Sequence, residues 1–252
     1  MQTFDPHHFG ALVAIEQRHA WFRARNKMIG ERVAEVTSDL PDGFRVLEVG
    51  CGSGSVLQVL ERVCTRGEVV GLDLYEEGLQ FARARTGCTL VRGDANCPPF
   101  GQEFAVVGMF DVLEHLPDDM GVLRRMSEIL LPDGMLLLTV PADPALWSYF
   151  DEAAHHARRY TLPELEQKLT SSGFDVEYIS HFMMPLHPIM RLYRGLGRRR
   201  GADTVERDLK IVPVFNELLY WTLRQENWAF RNRKQLPLGT SIFAMARWKG
   251  PE

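Results

Sequence analysis

Val46-Leu47-Glu48-Val49-Gly50-Cys51-Gly52-Ser53-Gly54 is the stretch from which the fold is read. A short apolar run that stops at a glycine cluster, with an apolar-periodic segment behind it, has the grammar of strand, tight turn and helix. Glycine carries no Cβ, so the backbone can turn sharply there and come close to a ligand at the start of a helix. The spacing is G-x-G-x-G, with Ser55 where a dinucleotide fingerprint would place its third glycine. Glu48 adds a carboxylate two residues before the first glycine. That charge repels a pyrophosphate and tolerates a ligand bearing an ammonium or sulfonium.

Outward from this turn, strand-like and helix-like segments alternate. FRVLEVG (44–50) predicts a strand and 54–63 a helix; EVVGLDL (68–74) is a second strand, followed by a helix over 76–85. CTLVRGD (88–94), EFAVVGMF (103–110) and GMLLLTVP (134–141) are further strands, the last two separated by a helix over 118–130. This alternation implies right-handed βαβ crossovers and a parallel sheet covered on both faces. Upstream, residues 7–37 predict one helix after Pro6, ended by Thr37-Ser38-Asp39-Leu40-Pro41-Asp42-Gly43. Downstream, Thr161-Leu162-Pro163-Glu164 opens a helix, DVEYISHF (175–182) is a strand, and TSIFAMARW (240–248) is the last one. Between these two strands, 185–235 reads as irregular helix, interrupted by Gly195, Gly197 and Arg198-Arg199-Arg200. The expected organisation is a single domain: a helical cover (1–43), a core sheet (44–184), a helical cap inserted at 185–235, and the final strand (236–252).

Composition agrees with a globular enzyme-sized domain. The 252 residues are 45% apolar and 25% charged, which excludes a disordered chain. A net charge of −4 does not nominate nucleic acid as partner. The charge is uneven, because residues 181–252 hold 13 basic and 6 acidic side chains while the remainder is acidic. No apolar run reaches the length of a bilayer span, and MQTFDPHHFG has no signal-peptide pattern. Cys51, Cys64, Cys88 and Cys97 show no metal-binding spacing, and a reducing cytoplasm is expected.

Two more acids follow strands. Asp73 ends the second, where an ionised carboxylate accepts hydrogen bonds from both hydroxyls of a ribose. Asp94 ends the third, within reach of an adenine amino group. A single strand-end Asp is commonly a turn residue. Three acids after three consecutive strands, behind a G-x-G-x-G turn, outline an adenosine site at the carboxyl edge of the sheet.

VLEVGCGSG, GLDLYEEGL, GDANCPPF, FDVLEHL and LLPDGMLLLTVP, in this order, resemble the class I S-adenosylmethionine-dependent methyltransferases over 44–141. DEAAHHARRYT, SSGFDVEY and LPLGTSIFAMAR are similar to a bacterial small-molecule subgroup that includes ubiquinone-pathway O-methyltransferases. The resemblance implies a doubly wound seven-stranded α/β sheet, order 3-2-1-4-5-7-6, with strand 7 antiparallel. It also implies that Gly50, Cys51 and Gly52, with Gly54, surround the methionine part of the cofactor, Asp73 and Leu74 the ribose, Asp94 and Ala95 the adenine, and Phe110 the sulfonium.

The cofactor brings an activated methyl group, so the protein supplies alignment, a dry site and, for a hydroxyl acceptor, a base. Two groups offer one. In Asp111-Val-Leu-Glu114-His115 a helical turn would put all three polar residues on one face. His115 would then be a base oriented by Glu114, or the three would hold a divalent metal; equally, Asp111 suits a helix cap. Ubiquinone-pathway and small-RNA 2′-O-methyltransferases resemble this segment, with Glu where Asp111 stands. The second group is Asp151-Glu152-Ala-Ala-His155-His156-Ala-Arg158-Arg159-Tyr160, where relatives show a single His before x-Arg-Arg-Tyr, which favours His156. Trp21 and Arg25, four apart, share a helix face and would cover the cofactor, with Arg25 meeting its carboxylate. In the cap, Leu218, Leu219, Trp221, Leu223, Trp228 and Phe230 would line an acceptor pocket, a membrane surface, a dimer interface or plain core. The expected function is methyl transfer to a small molecule at oxygen, with nitrogen and carbon acceptors open. The contrasting expectation is a non-catalytic cofactor-binding protein that uses its cap to bind a partner.

Overall fold

A computed structural model describes residues 9–195 and 213–250, and the glycine-turn strand lies at the centre of its sheet. Arg45–Val49 (β1) pairs in parallel with Glu68–Asp73 (β2) on one side and Phe104–Phe110 (β4) on the other. With Thr89–Arg92 (β3), Leu130–Pro141 (β5), Phe174–Phe182 (β6) and Ser241–Trp248 (β7), the order is β3-β2-β1-β4-β5-β7-β6. β7 runs antiparallel to both β5 and β6. The expected fold class is the observed one. The chain winds outward from β1 to β3 and then returns to β4 beside β1, so a crevice opens at the carboxyl ends of β1 and β4.

Alternation along the strands explains the layers. Leu47 and Val49 point to a core shared with Leu123 and Met126 of α5 (Asp119–Ile129) and with Leu165 and Leu169 of α7 (Leu162–Ser171). Val46 points the other way, to a core shared with Met28 of α2 (Ala20–Thr37), Leu60 of α3 (Leu57–Val63) and Leu79 of α4 (Glu76–Arg83). Each such side chain contributes roughly 1.5–3 kcal/mol when fully buried. A one-residue register slip would exchange the two sets, so the pairing is strongly specified.

Two glycines show why the turn has its spacing. Gly50 (φ +70°) and Gly54 (φ +78°) are both left-handed. A Cβ on Gly50 would lie 2.5 Å from Val112, and one on Gly54 would lie 3.0 Å from Ala82 of α4. A left-handed Gly54 cannot belong to a helix, and α3 starts beyond it, at Leu57 and not at 54.

The single helix expected over 7–37 is two: Phe9–Glu16 (α1) and α2, with residues 7–8 outside the described residues. His19 breaks them apart in an extended conformation, and its Nδ1 accepts the Trp21 N–H at 3.2 Å, capping α2. Apolar periodicity runs across this joint and does not reveal it. The cap contains α8 (Leu186–Gly195), α9 (Pro213–Arg224) and α10 (Asn227–Arg231), while Arg198-Arg199-Arg200 lies outside the described residues. α9 lies on α2, its Asn216 accepting the Ala20 N–H and donating to the Arg18 carbonyl, both at 2.8 Å. Among the described residues no helix is long and apolar enough to cross a membrane.

Glu226, between α9 and α10, clamps the cap to the end of β6. Its carboxylate accepts the N–H groups of Met183 and Met184, both at 2.7 Å. Burial outweighs these bonds and pushes its pKa up to about 7. The native state therefore holds this proton more tightly than the unfolded chain, and stability falls as pH rises from the ordinary glutamate range to about 7. Denaturant unfolding across that window is expected to show a Glu226 contribution of order 3 kcal/mol, absent from the difference curve in Glu226→Gln. An unchanged pH slope in the variant would contradict this.

Candidate functional site

A cleft of about 230 Å³ opens at the carboxyl ends of β1, β2 and β4, where the strand order reverses. Its floor is built from the glycine turn. The N–H groups of Gly50 and Cys51 bond back to the Leu72 carbonyl at 2.7 and 3.0 Å, which ties the turn to β2. Asp73 completes the tie: one carboxylate oxygen accepts the Gly52 N–H at 2.7 Å and the other accepts the Tyr75 N–H at 2.8 Å. Burial nonetheless raises its pKa above the usual aspartate value. Glu48 is only 3% exposed, and its Oε2 has no hydrogen-bond partner. Burial pushes its carboxyl well above the ordinary range; the Arg25 charge opposes that rise, while Asp73 and Glu16 add to it. Asp94 is exposed at the rim, one oxygen accepting the backbone and side-chain N–H groups of Asn96 at 2.8 and 2.7 Å.

The helical cover supplies a cation. Arg25, on the inner face of α2, reaches Asp111 with Nη1 at 2.5 Å from Oδ2, and its Nε has no partner. Its guanidinium lies 5.1 Å from the Trp21 ring and 5.8 Å from the Phe22 ring. Phe22, not Trp21, faces the cleft. α1 is fastened to the glycine turn through Glu16, which accepts the Ser53 hydroxyl at 2.7 Å and pairs with Arg85.

The turn after β4 does not form the α-helical face expected of Asp111, Glu114 and His115. Asp111 takes a left-handed conformation (φ +59°), and Leu113–His115 is a 3₁₀ turn. Asp111 and His115 consequently line the cleft, whereas Glu114 turns into the interior, 1% exposed. Neither Glu114 oxygen has a hydrogen-bond partner, and burial, with Asp111 nearby, pushes its pKa well up.

His156 stands behind His115, ring edge against ring face, with centroids 4.7 Å apart. Its Nδ1 is 3.0 Å from Asp151 Oδ1, to which Arg159 Nε also donates at 2.7 Å. Burial favours protonation of Asp151, but the His156 bond and the Arg159 charge prevail and hold its pKa below the usual value. The arm carrying these groups, which includes α6 (Tyr149–Ala153), is seated by fully buried Tyr160, whose hydroxyl donates to Asp119 at 2.9 Å. Glu114, His115 and His156 each present a ligand-type atom within 4.8 Å of the others. Two imidazoles and a carboxylate fit a divalent cation, and the orphaned Glu114 oxygens fit it too. Asp111, engaged with Arg25, is not part of this trio.

The cleft brings together Arg25, Glu48, Gly50, Cys51, Gly52, Asp73, Leu74, Asp94, Ala95 and Phe110. Trp21 and Gly54 are not on its wall: Trp21 packs beside Arg25, and Gly54 makes room for α4. Glu16, Phe22 and Tyr75 also line it without having been singled out from sequence. Phe22, three residues from Arg25 on the same helix, had a usable signal in that spacing.

The family described as a methyltransferase domain matches residues 16–179. Over 159 residues the chain is 28% identical to a ubiquinone biosynthesis O-methyltransferase of Neisseria meningitidis, covering 53% of this chain and 65% of that protein. It is 29% identical over 141 residues to a demethylmenaquinone methyltransferase of Staphylococcus aureus, covering 54% of this chain and 55% of that one. The chain thus spans between about half and two thirds of the length of these curated relatives. The fold is similar to that of an S-adenosylmethionine-dependent methyltransferase from Mesorhizobium loti (TM-score 0.54, 18% identity, 92% of this chain and 99% of that one). It is also similar to a Haemonchus contortus phosphoethanolamine N-methyltransferase solved with S-adenosyl-L-methionine (TM-score 0.56, 19% identity, 88% and 52%). With 16–179 matched and the 3-2-1-4-5-7-6 sheet in place, the chain belongs to the methyltransferase-domain family of class I S-adenosylmethionine-dependent enzymes.

Proposed function

We propose that this chain transfers a methyl group from S-adenosylmethionine to a hydroxyl oxygen of a small-molecule acceptor, such as a sugar, a quinone precursor or a natural product. The observation that carries the proposal is the charge of the cleft. Glu16 and Asp111 are answered by Arg85 and Arg25, which leaves the carboxylates of Asp73 and Asp94, beside the buried Glu48 carboxyl, facing a ligand. A cationic nucleoside meets that surface better than a pyrophosphate does.

When bound, the cofactor supplies an electrophilic methyl on a sulfonium. Asp73 keeps lone pairs beyond its two backbone bonds for the ribose hydroxyls. Of the cleft-lining residues, Asp94 and Ala95 would hold the adenine, Phe110 would border the sulfonium, and the backbone of Gly50, Cys51 and Gly52 would hold the methionine part. Arg25, paired with Asp111 through Nη1 and unpartnered at Nε, would hold the ligand's carboxylate. His115 takes the acceptor's proton at the cleft wall. His156 is a positioning residue, set by Asp151 and stacked edge-on against His115. Oxygen as the acceptor atom is supported by this histidine pair and by the name of the Neisseria relative.

The unpartnered oxygens of Glu114 favour a second reading, in which a divalent cation held by Glu114, His115 and His156 polarises the hydroxyl. One assay separates these readings. Labelled cofactor is offered with a library of hydroxylated small molecules, with and without a chelator. Label entering an acceptor regardless of chelator supports the base; loss of transfer restored by added magnesium or manganese supports the cation. No transfer to any acceptor, with cofactor binding intact, supports a binding module.

His115→Ala is expected to lower kcat by about 10²–10⁴-fold and to leave affinity for S-adenosylhomocysteine unchanged by calorimetry. A parent-like kcat would remove His115 from the mechanism. Asp73→Ala is expected to weaken that ligand by about 10–100-fold, the loss of hydrogen bonds to a charged group. Unaltered affinity would show that the ribose is held elsewhere.

A further inference from the structure

The cap contains two helices that carry apolar residues on both faces: Leu186 of α8 and Leu219, Tyr220 and Leu223 of α9 pack on the core, while others point away from it. α8 docks through Leu186 and through two polar residues, His187 and Arg191, which reach Asp143, just beyond β5, at 2.9 and 3.1 Å. Its Ile189 and Leu192 are 61% and 69% exposed. α9 buries Asn216 and Leu223 toward α2 and presents Val214, Phe215, Leu218 and Trp221 outward, each at least 52% exposed. These four follow i, i+1, i+4 and i+7 spacing, so they form one stripe opposite the docked face. Arg224 lies over Trp221, its guanidinium 4.3 Å from the ring. α8 is thus held just beyond the carboxyl end of β5, and α9 at the start of α2, the helix that carries Phe22 and Arg25 to the cleft.

We infer that α8 and α9 rest on an anionic lipid bilayer, with Ile189, Leu192, Val214, Phe215, Leu218 and Trp221 in the interfacial layer. Charge selects this occupant. By sequence, residues 185–235 carry 11 Lys and Arg against 5 Asp and Glu; of the described ones, Arg191, Arg231 and Arg233 are paired with Asp143, Glu31 and Glu35, and Arg224 stands beside the exposed stripe. A two-fold contact with a second copy would press this basic segment against itself. An anionic leaflet complements it, gaining roughly fivefold in affinity for each Lys or Arg brought near the surface. Apolar residues with a tryptophan on one face and basic residues at the margins are the pattern of a helix lying in the plane of a membrane interface. The surface would bring an acceptor dissolved in the bilayer to the cleft, but the inference does not depend on what the acceptor is.

Flotation of the full chain tests it, using vesicles of phosphatidylcholine alone and of an equal mixture with phosphatidylglycerol. The chain is expected to float with the mixed vesicles, to bind the neutral ones more weakly, and to lose binding as salt is raised. Leu218→Glu with Trp221→Glu, and separately Ile189→Glu with Leu192→Glu, are each expected to lower affinity for mixed vesicles about tenfold or more, with thermal melting and S-adenosylhomocysteine affinity like the parent. In the unmodified chain, brominated lipid is expected to quench tryptophan emission, which keeps the test open should a variant fail to fold. Absence of flotation with either vesicle, no quenching, or parent-like flotation of both folded variants would overturn the inference. So would a dimer in sedimentation velocity that the same substitutions dissociate, which would make this face a contact between copies.

Discussion

A carboxylate withdrawn from water must be answered by hydrogen bonds, a cation or a proton, and the cleft is organised around that requirement. Asp73 is answered by two backbone N–H groups, which simultaneously fasten the glycine turn to the end of β2. Glu48, one strand away, is answered only in part. One of its oxygens has no partner, and Arg25, the nearest cation acting on it, is also engaged by Asp111. The cleft wall thus sets Arg25 against the carboxyl groups of Glu16, Glu48, Asp73, Asp94 and Asp111. A ligand that brings a cation offsets this imbalance, and the case for a sulfonium nucleoside rests on it.

The groups proposed for chemistry depend on a different constraint, the seating of one long connection. Between β5 and α7 the chain leaves the sheet and returns through Tyr160, fully buried and bonded to Asp119. Lys168 and Arg158 converge on the same carboxylate at 3.0 and 2.7 Å, so this anchor joins α5, α7 and the arm. From it hang Arg159, Asp151 and His156 in a short hydrogen-bonded series that ends against His115. Geometry of this kind places an imidazole within a fraction of an ångström only when each supporting side chain has its own partner. Glu114 is the exception, and its unanswered oxygens are where a proton or a metal ion would be most strongly held.

Much of this was legible in the residues themselves. The glycine turn, the acids Glu48 in β1, Asp73 at the end of β2 and Asp94 beyond β3, and the alternation of strands with helices are local patterns, and all of them are found in the fold. The strand order is a property of the whole chain, and it came from resemblance and not from any local pattern. What could not be read depends on contacts distant in sequence or on single backbone torsions. Periodicity carries through the joint at Gln17–His19, because the His19 cap is a side-chain event. The left-handed Asp111 and the 3₁₀ turn behind it part Asp111 from Glu114, where spacing alone predicts a common face, and leave His115 near both the cleft and Glu114. Gly54 has the look of a ligand glycine, but it is there because α4 passes close by. Trp21 was the more conspicuous aromatic, yet the helix phase turns Phe22 to the cleft.

The central claim is that this cleft accepts a charged thioether nucleoside and not a dinucleotide. Calorimetric titration of the unmodified chain with S-adenosylmethionine, S-adenosylhomocysteine and a nicotinamide dinucleotide tests it most directly. Saturable heat with the two nucleosides and none with the dinucleotide is the predicted outcome. Binding of the dinucleotide, with no heat from either nucleoside, would contradict the account at its root.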